Sequence, residues 1–187
     1  MKAPEASRSQ TEPIQVGKAG EHLYVVRVEG RGSFQNCGGL KQFLDRQLAT
    51  DPDLELIVDL ENCTSMDSTF MGVIAGVGLR QRQSKRGKMV IVNLNEHTSK
   101  LLRTLGLTHF LDVRETGARR TAVMPGAFEP LPEAPPMSRM ERIRMMIEAH
   151  ERLIDADKGN EVKFQGVLTF LAESLGRAEQ PGGDADL

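Results

Sequence analysis

Apolar positions change their spacing several times along the chain, and each change marks an element. Ile14 and Val16 alternate with polar neighbours, and residues 22–28 form a β-branched run. With Gly17-Lys18-Ala19-Gly20 between them, the two segments predict a β-hairpin. Gly30-Arg31-Gly32-Ser33 interrupts the second strand. Leu40, Phe43, Leu44 and Leu48 then recur at i, i+3, i+4 and i+8, a helical stripe that Asp51-Pro52-Asp53 stops. Residues 54–60 are continuously apolar enough for a central strand. A helix follows over about residues 68–85, with Lys85 and Arg86 at the negative end of its dipole and Gly87 supplying a left-handed cap. Residues 88–94 read as another buried strand. Residues 96–105 read as a helix closed by Gly106 and Leu107, and residues 110–113 as a short final strand or extended segment.

The order β-β-α-β-α-β-α-β predicts an α/β fold. Its small mixed sheet is mostly parallel, with the hairpin as antiparallel edge and the helices mainly on one face. The folded unit spans residues 13–114. Residues 115–136, with Pro125, Pro130, Pro132, Pro135 and Pro136, read as a linker lying extended over the surface. Residues 137–178 predict a C-terminal helical hairpin. Met140, Ile143, Ile147, His150 and Ile154 form its first stripe, Asp157-Lys158-Gly159-Asn160 its turn, and Val162, Val167, Leu168, Leu171 and Leu175 its second stripe. Such a pair must bury its apolar face somewhere. Met137, Met140, Met145 and Met146 make the first helix an adaptable packing surface. The polar termini, residues 1–12 and 179–187, are expected to be disordered.

Composition narrows the function classes. A net charge of -2 over 187 residues gives no electrostatic reason for a nucleic-acid or anionic-membrane partner. No apolar run approaches the roughly 20 residues that span a bilayer. The start of the chain lacks a secretory h-region, so a cytoplasmic location is expected. Cys37 and Cys63 form no metal pattern and read as small apolar fillers. His22, His97, His109 and His150 are scattered, so no metal is expected. Tyr24 as the one Tyr and the absence of Trp argue against a base- or sugar-stacking platform. Gly30, Gly32, Gly38 and Gly39 match no nucleotide loop, and no triad or carboxylate pair stands in a catalytic context. The chain is therefore not expected to be an enzyme or to hold a cofactor. Arg80, Arg82, Lys85 and Arg86 read as a solvated face.

Residues 66–74, Met-Asp-Ser-Thr-Phe-Met-Gly-Val-Ile, carry the candidate chemistry. A hydroxyl between a strand and a helix sits where free N–H groups and positive dipole charge tolerate a phosphate. Ser68 fits that role; Thr69 is the alternate, and simple helix capping by Ser68 or Asp67 is the structural alternative. Phe70 and Met71 are adjacent, so both cannot face the core equally. Phe70 is expected at the surface as a partner anchor, the other reading being that it packs under the loop at residues 30–34.

Residues 14–113 resemble a STAS domain, the fold of bacterial anti-sigma factor antagonists. The resemblance rests on the strand ending Val58-Asp59-Leu60, on Met66-Asp67-Ser68-Thr69 before a helix with Gly72-Val73-Ile74, and on 101–107, Leu-Leu-Arg-Thr-Leu-Gly-Leu. In the family motif Asp-Ser-Ser/Thr-Gly-Leu-Gly, Asp67, Ser68, Thr69 and Gly72 match, while Phe70 and Met71 replace the first glycine and the leucine. The resemblance implies a protein-binding switch. A kinase that is also an anti-sigma factor phosphorylates the motif serine, here Ser68, and the unphosphorylated form sequesters that partner. A PP2C-like phosphatase resets the switch. Asp67 is implied as the acidic neighbour at the partner contact, and Ser33 stands where the family often has an acid. The partner-binding set is thus Asp67, Phe70, Met71 and Ser33. A constitutive STAS scaffold of a lipid-transport ATPase complex and a small-ligand or nucleotide sensor are the rival readings. The hairpin could dock on the domain, mediate a homodimer, or bind a further partner.

Overall fold

The computed structural model describes residues 13–115 and 125–179. The disorder expected at 1–12 and for 180–187, and the part of the linker at 116–124, lie outside the described residues. The expected hairpin is present: β1 (Ile14–Lys18) pairs antiparallel with β2 (Leu23–Val28). Its turn falls at residues 19–22, later than the glycine spacing suggests. The segment read as a break, Gly30–Gly32, is itself a short strand, β3. It pairs in parallel with β5 (Cys63–Met66), which the sequence pattern does not mark. β4 (Glu55–Asp59), β6 (Lys88–Leu94) and β7 (Asp112–Glu115) complete the parallel part of the main sheet. From the linker, β8 (Glu129–Pro130) adds to the free edge of β1, so the main sheet runs β7-β6-β4-β2-β1-β8.

The helices are α1 (Cys37–Thr50), α2 (Ser68–Ser84), α3 (Glu96–Thr104), α4 (Arg139–Ala156) and α5 (Asn160–Ala178). At the end of α2 the left-handed cap is Lys85 itself, at φ 55°, ahead of the expected Gly87. The period-2 alternation of the strands sorts the core. Val26, Val28, Leu56, Val58, Met89 and Ile91 share one hydrophobic cluster with Leu40 and Phe43 of α1, Ile74 of α2 and Leu102 of α3. Val25, Ile57 and Val90, one residue out of step, are buried outside that cluster. The helices therefore gather on one face of the sheet, because only one row of strand side chains meets them.

The C-terminal hairpin is not a separate body. Met145, Ala149, Leu153 and Phe164 belong to the same cluster as the sheet. α4 opens with a capping box between Ser138 and Glu141. Its buried residues are Ile143, Met145, Ala149, His150 and Leu153, a row that shares only Ile143 and His150 with the expected stripe. On α5 the correction is larger. Val162 is 86% exposed and Val167 is exposed, while Asn160, Phe164, Leu171 and Ser174 are buried. α4 packs on both α2 and α5, so its inward face is broader than a single-period stripe.

Candidate functional site

The junction between β5 and α2 is built by the β3–β5 pair. Their register places Gly32 beside Met66, and the Asp67 amide donates to the Gly32 carbonyl at 3.0 Å. This brings the loop after β3 against the first turn of α2. Asp67 is the N-cap: its Oδ1 accepts from the Phe70 amide at 2.9 Å. Its Oδ2 accepts from the Phe34 amide at 2.8 Å. One carboxylate thus satisfies an orphan helix donor and ties down the loop.

With Asp67 capping, the hydroxyl of Ser68 is released from that duty. Ser68 is the first helical residue and half-buried. Its Oγ lies 2.9 Å from Nε2 of His150, on α4. The His150 Nδ1 is 2.7 Å from the Met146 carbonyl, an interaction in which Nδ1–H donates. In the neutral ring this leaves Nε2 as acceptor for the Ser68 hydroxyl. His150 is 3% exposed and stands edge-on to Phe164 of α5, with ring centroids 4.9 Å apart. Thr69 is buried, so the alternate hydroxyl is less accessible than Ser68.

The expected surface position of Phe70 is overturned: its side chain is 0% exposed. A Cβ built on Gly32 would lie 2.7–2.9 Å from three atoms of the Phe70 ring. The ring therefore fills the space above a glycine of β3, which is the packing alternative. Met71 is also buried. Both face inward because a helix enclosed by sheet, loop and α4 has little free circumference. Ser33 is buried as well; its carbonyl accepts from the Asn36 and Cys37 amides, and its own amide donates to Asn36 Oδ1 at 2.8 Å.

Two features escape the sequence reading. The aromatic at the surface beside Asp67 is Phe34, 48% exposed, one residue past Ser33. The second is the contact of α2 with α4. Gly72 meets the Ala149 backbone so closely that a Cβ there would lie 2.6 Å from the Ala149 carbonyl carbon and 2.8 Å from its Cβ. Gly72 and Gly76, one turn apart, were a readable signal for close helix approach, since only small residues permit it.

The two cysteines near the site are held as thiols. Burial first, and then the negative charge of Asp67, push the Cys37 thiol up to about 12. Burial likewise raises Cys63. Neither offers a thiolate nucleophile. On the flank of α2, Arg80 pairs with Asp45 at 2.6 Å and Arg86 with Asp53, so the basic run is partly neutralised at the surface. No helix among the described residues is long and apolar enough to cross a membrane.

Several solved structures are similar to this chain. An anti-sigma factor antagonist from Mycobacterium paratuberculosis is 20% identical, with a TM-score of 0.45, over 57% of this chain and 88% of that one. The Bacillus cell fate determinant SpoIIAA in its phosphorylated form is 14% identical, with a TM-score of 0.47, over 56% and 92%. SpoIIAA in its unphosphorylated form is 15% identical, with a TM-score of 0.44, over 48% and 81%. No curated protein matches the chain. The STAS domain model matches residues 14–119, more than half of the sequence. Spanning β1–β7, the first three helices and the Asp67–Ser68 junction, that match makes the chain a member of the STAS domain family.

Proposed function

We propose that the chain is an anti-sigma factor antagonist, a phosphorylation-switched binding module rather than an enzyme. In this reading it sequesters a partner that is both serine kinase and anti-sigma factor, Ser68 is the phospho-acceptor, and a PP2C-like phosphatase reverses the modification. The observation that carries the reading is the division of labour at the start of α2. Asp67 supplies the cap, and Ser68 keeps a hydroxyl that the helix does not need.

Phosphorylation adds about -1.5 to -2 charges at pH 7. The dipole of α2 offsets this by roughly 0.3–1 kcal/mol, which the domain can absorb. A partner surface fitted to a neutral hydroxyl beside the Asp67 carboxylate meets an unpaired dianion, at a cost of several kcal/mol. Release then follows from repulsion and desolvation at the interface. Phe34, exposed and bonded through its amide to Asp67, takes the anchor role that the sequence suggested for Phe70.

The test is to mix the full chain with histidine-kinase-fold anti-sigma factors from the same genome, add ATP, and map phosphate by mass spectrometry. Phosphate on Ser68 and weakened binding by Ser68→Asp are expected. Phosphate at neither Ser68 nor Thr69 with any of these partners overturns the reading.

A further inference from the structure

We propose that the α4–α5 hairpin is an intramolecular latch. It occupies the face of α2 that an external partner must reach, so docking of the hairpin and modification of Ser68 exclude one another. The proposal rests on the reading of Ser68 as phospho-acceptor, and adds a regulator carried by the same chain.

Three observations support it. The hairpin lies outside the segment that matches the STAS domain, which carries β1–β7 and α1–α3. It covers the motif directly: His150 holds the Ser68 hydroxyl at 2.9 Å, and Ala149 rests on Gly72 one turn further along α2. A phosphoryl group on Ser68 would need the volume that the buried His150 ring fills, and Phe164 of α5 stands against that ring. Finally, the interface is not uniformly packed. Beside the Gly72–Ala149 contact lies a cavity of about 40 Å³ whose lining includes the charged side chains Lys41, Arg80, Glu148 and Arg152. Met145, Leu153 and Phe164 bury with the sheet core, but the Gly72–Ala149 contact with its charged margin is a weaker seam, where opening starts more readily than between the aliphatic strands. Opening must also break the hydrogen bond from Asn160 Nδ2 to the Leu105 carbonyl, which pins the turn of the hairpin to the domain.

The geometry offers a reversible lock. A Cβ built on Gly76 lies 3.9 Å from the Arg152 Cβ, within the roughly 3.5–4.5 Å of natural disulfides. The full chain carrying Gly76→Cys and Arg152→Cys can thus be held closed when oxidised and freed when reduced. Cys63 is buried in the domain, and Cys37, whose Sγ lies 4.0 Å from the Met145 sulfur of α4, is replaced by Ala in all forms to keep it out of the exchange. In the opposite sense, Ala149→Leu cannot fit against the α2 backbone and opens the latch while leaving the STAS surface unaltered.

Two readouts decide the matter. The first is amide hydrogen exchange on the protein alone. The α4 and α5 amides should exchange through a common opening at least about tenfold faster than those of β4, and the oxidised disulfide should suppress that opening. Hairpin amides that exchange only with global unfolding overturn the latch, whatever any kinase does. The second uses the anti-sigma factors named above with ATP. Ser68 phosphorylation should fall in the oxidised form, recover on reduction, and rise about tenfold to a thousandfold in Ala149→Leu, as for a competent state of roughly 0.1–10%. Equal rates in oxidised and reduced protein also overturn the latch. If no form accepts phosphate, the phospho-acceptor reading fails, and the masking of a phosphorylation site falls with it.

Discussion

Replacing Asp67 with Ala separates its structural work from any contact with a partner. In the native fold, its two carboxylate oxygens accept from the Phe70 amide at 2.9 Å and the Phe34 amide at 2.8 Å. Loss of an N-cap costs about 1 kcal/mol. A hydrogen bond to a charged acceptor contributes about 1.5–3 kcal/mol. The bond to Phe34 lies in an exposed loop, where water replaces the lost acceptor, so its share falls near or below the lower end. The sum is about 2 kcal/mol, which at roughly 2–4 °C per kcal/mol for a chain of this size lowers Tm by about 4–8 °C. Asp67→Asn keeps a capping oxygen for Phe70 but turns its Nδ2 donor toward the Phe34 amide, which loses that bond, so it should lose about half as much. Thermal unfolding followed by circular dichroism, with urea titration to check that the m-value is unchanged, measures both. A Tm for Asp67→Ala within about 1 °C of wild type refutes the reasoning, because a cap and a loop tether cannot both vanish without effect.

Three further outcomes follow from the same geometry. Phe70→Ala empties a fully buried site above Gly32 and should cost about 3–5 kcal/mol in urea unfolding. Phe34→Ala should leave stability within about 0.5 kcal/mol of wild type, yet weaken capture of the anti-sigma partner by about 2 kcal/mol in calorimetry if Phe34 anchors it. The His22 Nδ1–H donates to Asp51 Oδ2 at 2.8 Å, and that hydrogen bond, with the Asp51 charge, raises its pKa from 6.5. The folded state therefore holds the proton more tightly. The contribution of His22 is full below pH 6.5 and fades as pH rises through the raised value, so the stability lost in His22→Gln should be larger at pH 5.5 than at pH 8.5.

Elements with a long, regular pattern were legible from the chain. The stripe of α1, the apolar runs of β4 and β6, and the Gly106 stop after α3 each carry their own local instruction. Short strands do not: β3, β5 and β8 have three, four and two residues, too few to show a period. They exist because a neighbouring edge satisfies their backbone groups. The buried face of α5 departs from its sequence stripe for a related reason. Its apolar residues lie on more than one face, and only the position of α4 decides that Phe164 and Leu171 turn inward while Val162 stays in water.

The candidate site divides along the same line. By sequence alone, the chain determined its family, the strand-to-helix position of Ser68 and the presence of a C-terminal hairpin, because these depend on residue type and local order. Tertiary structure decided that Asp67 rather than Ser68 caps α2, that Phe70 is interior and Phe34 exterior, and that His150, 82 positions along the chain from Ser68, reaches its hydroxyl. Those outcomes depend on close packing between segments far apart in sequence. Gly72 and Ala149 let two helices touch, and that contact, invisible to any local period, sets what covers the hydroxyl.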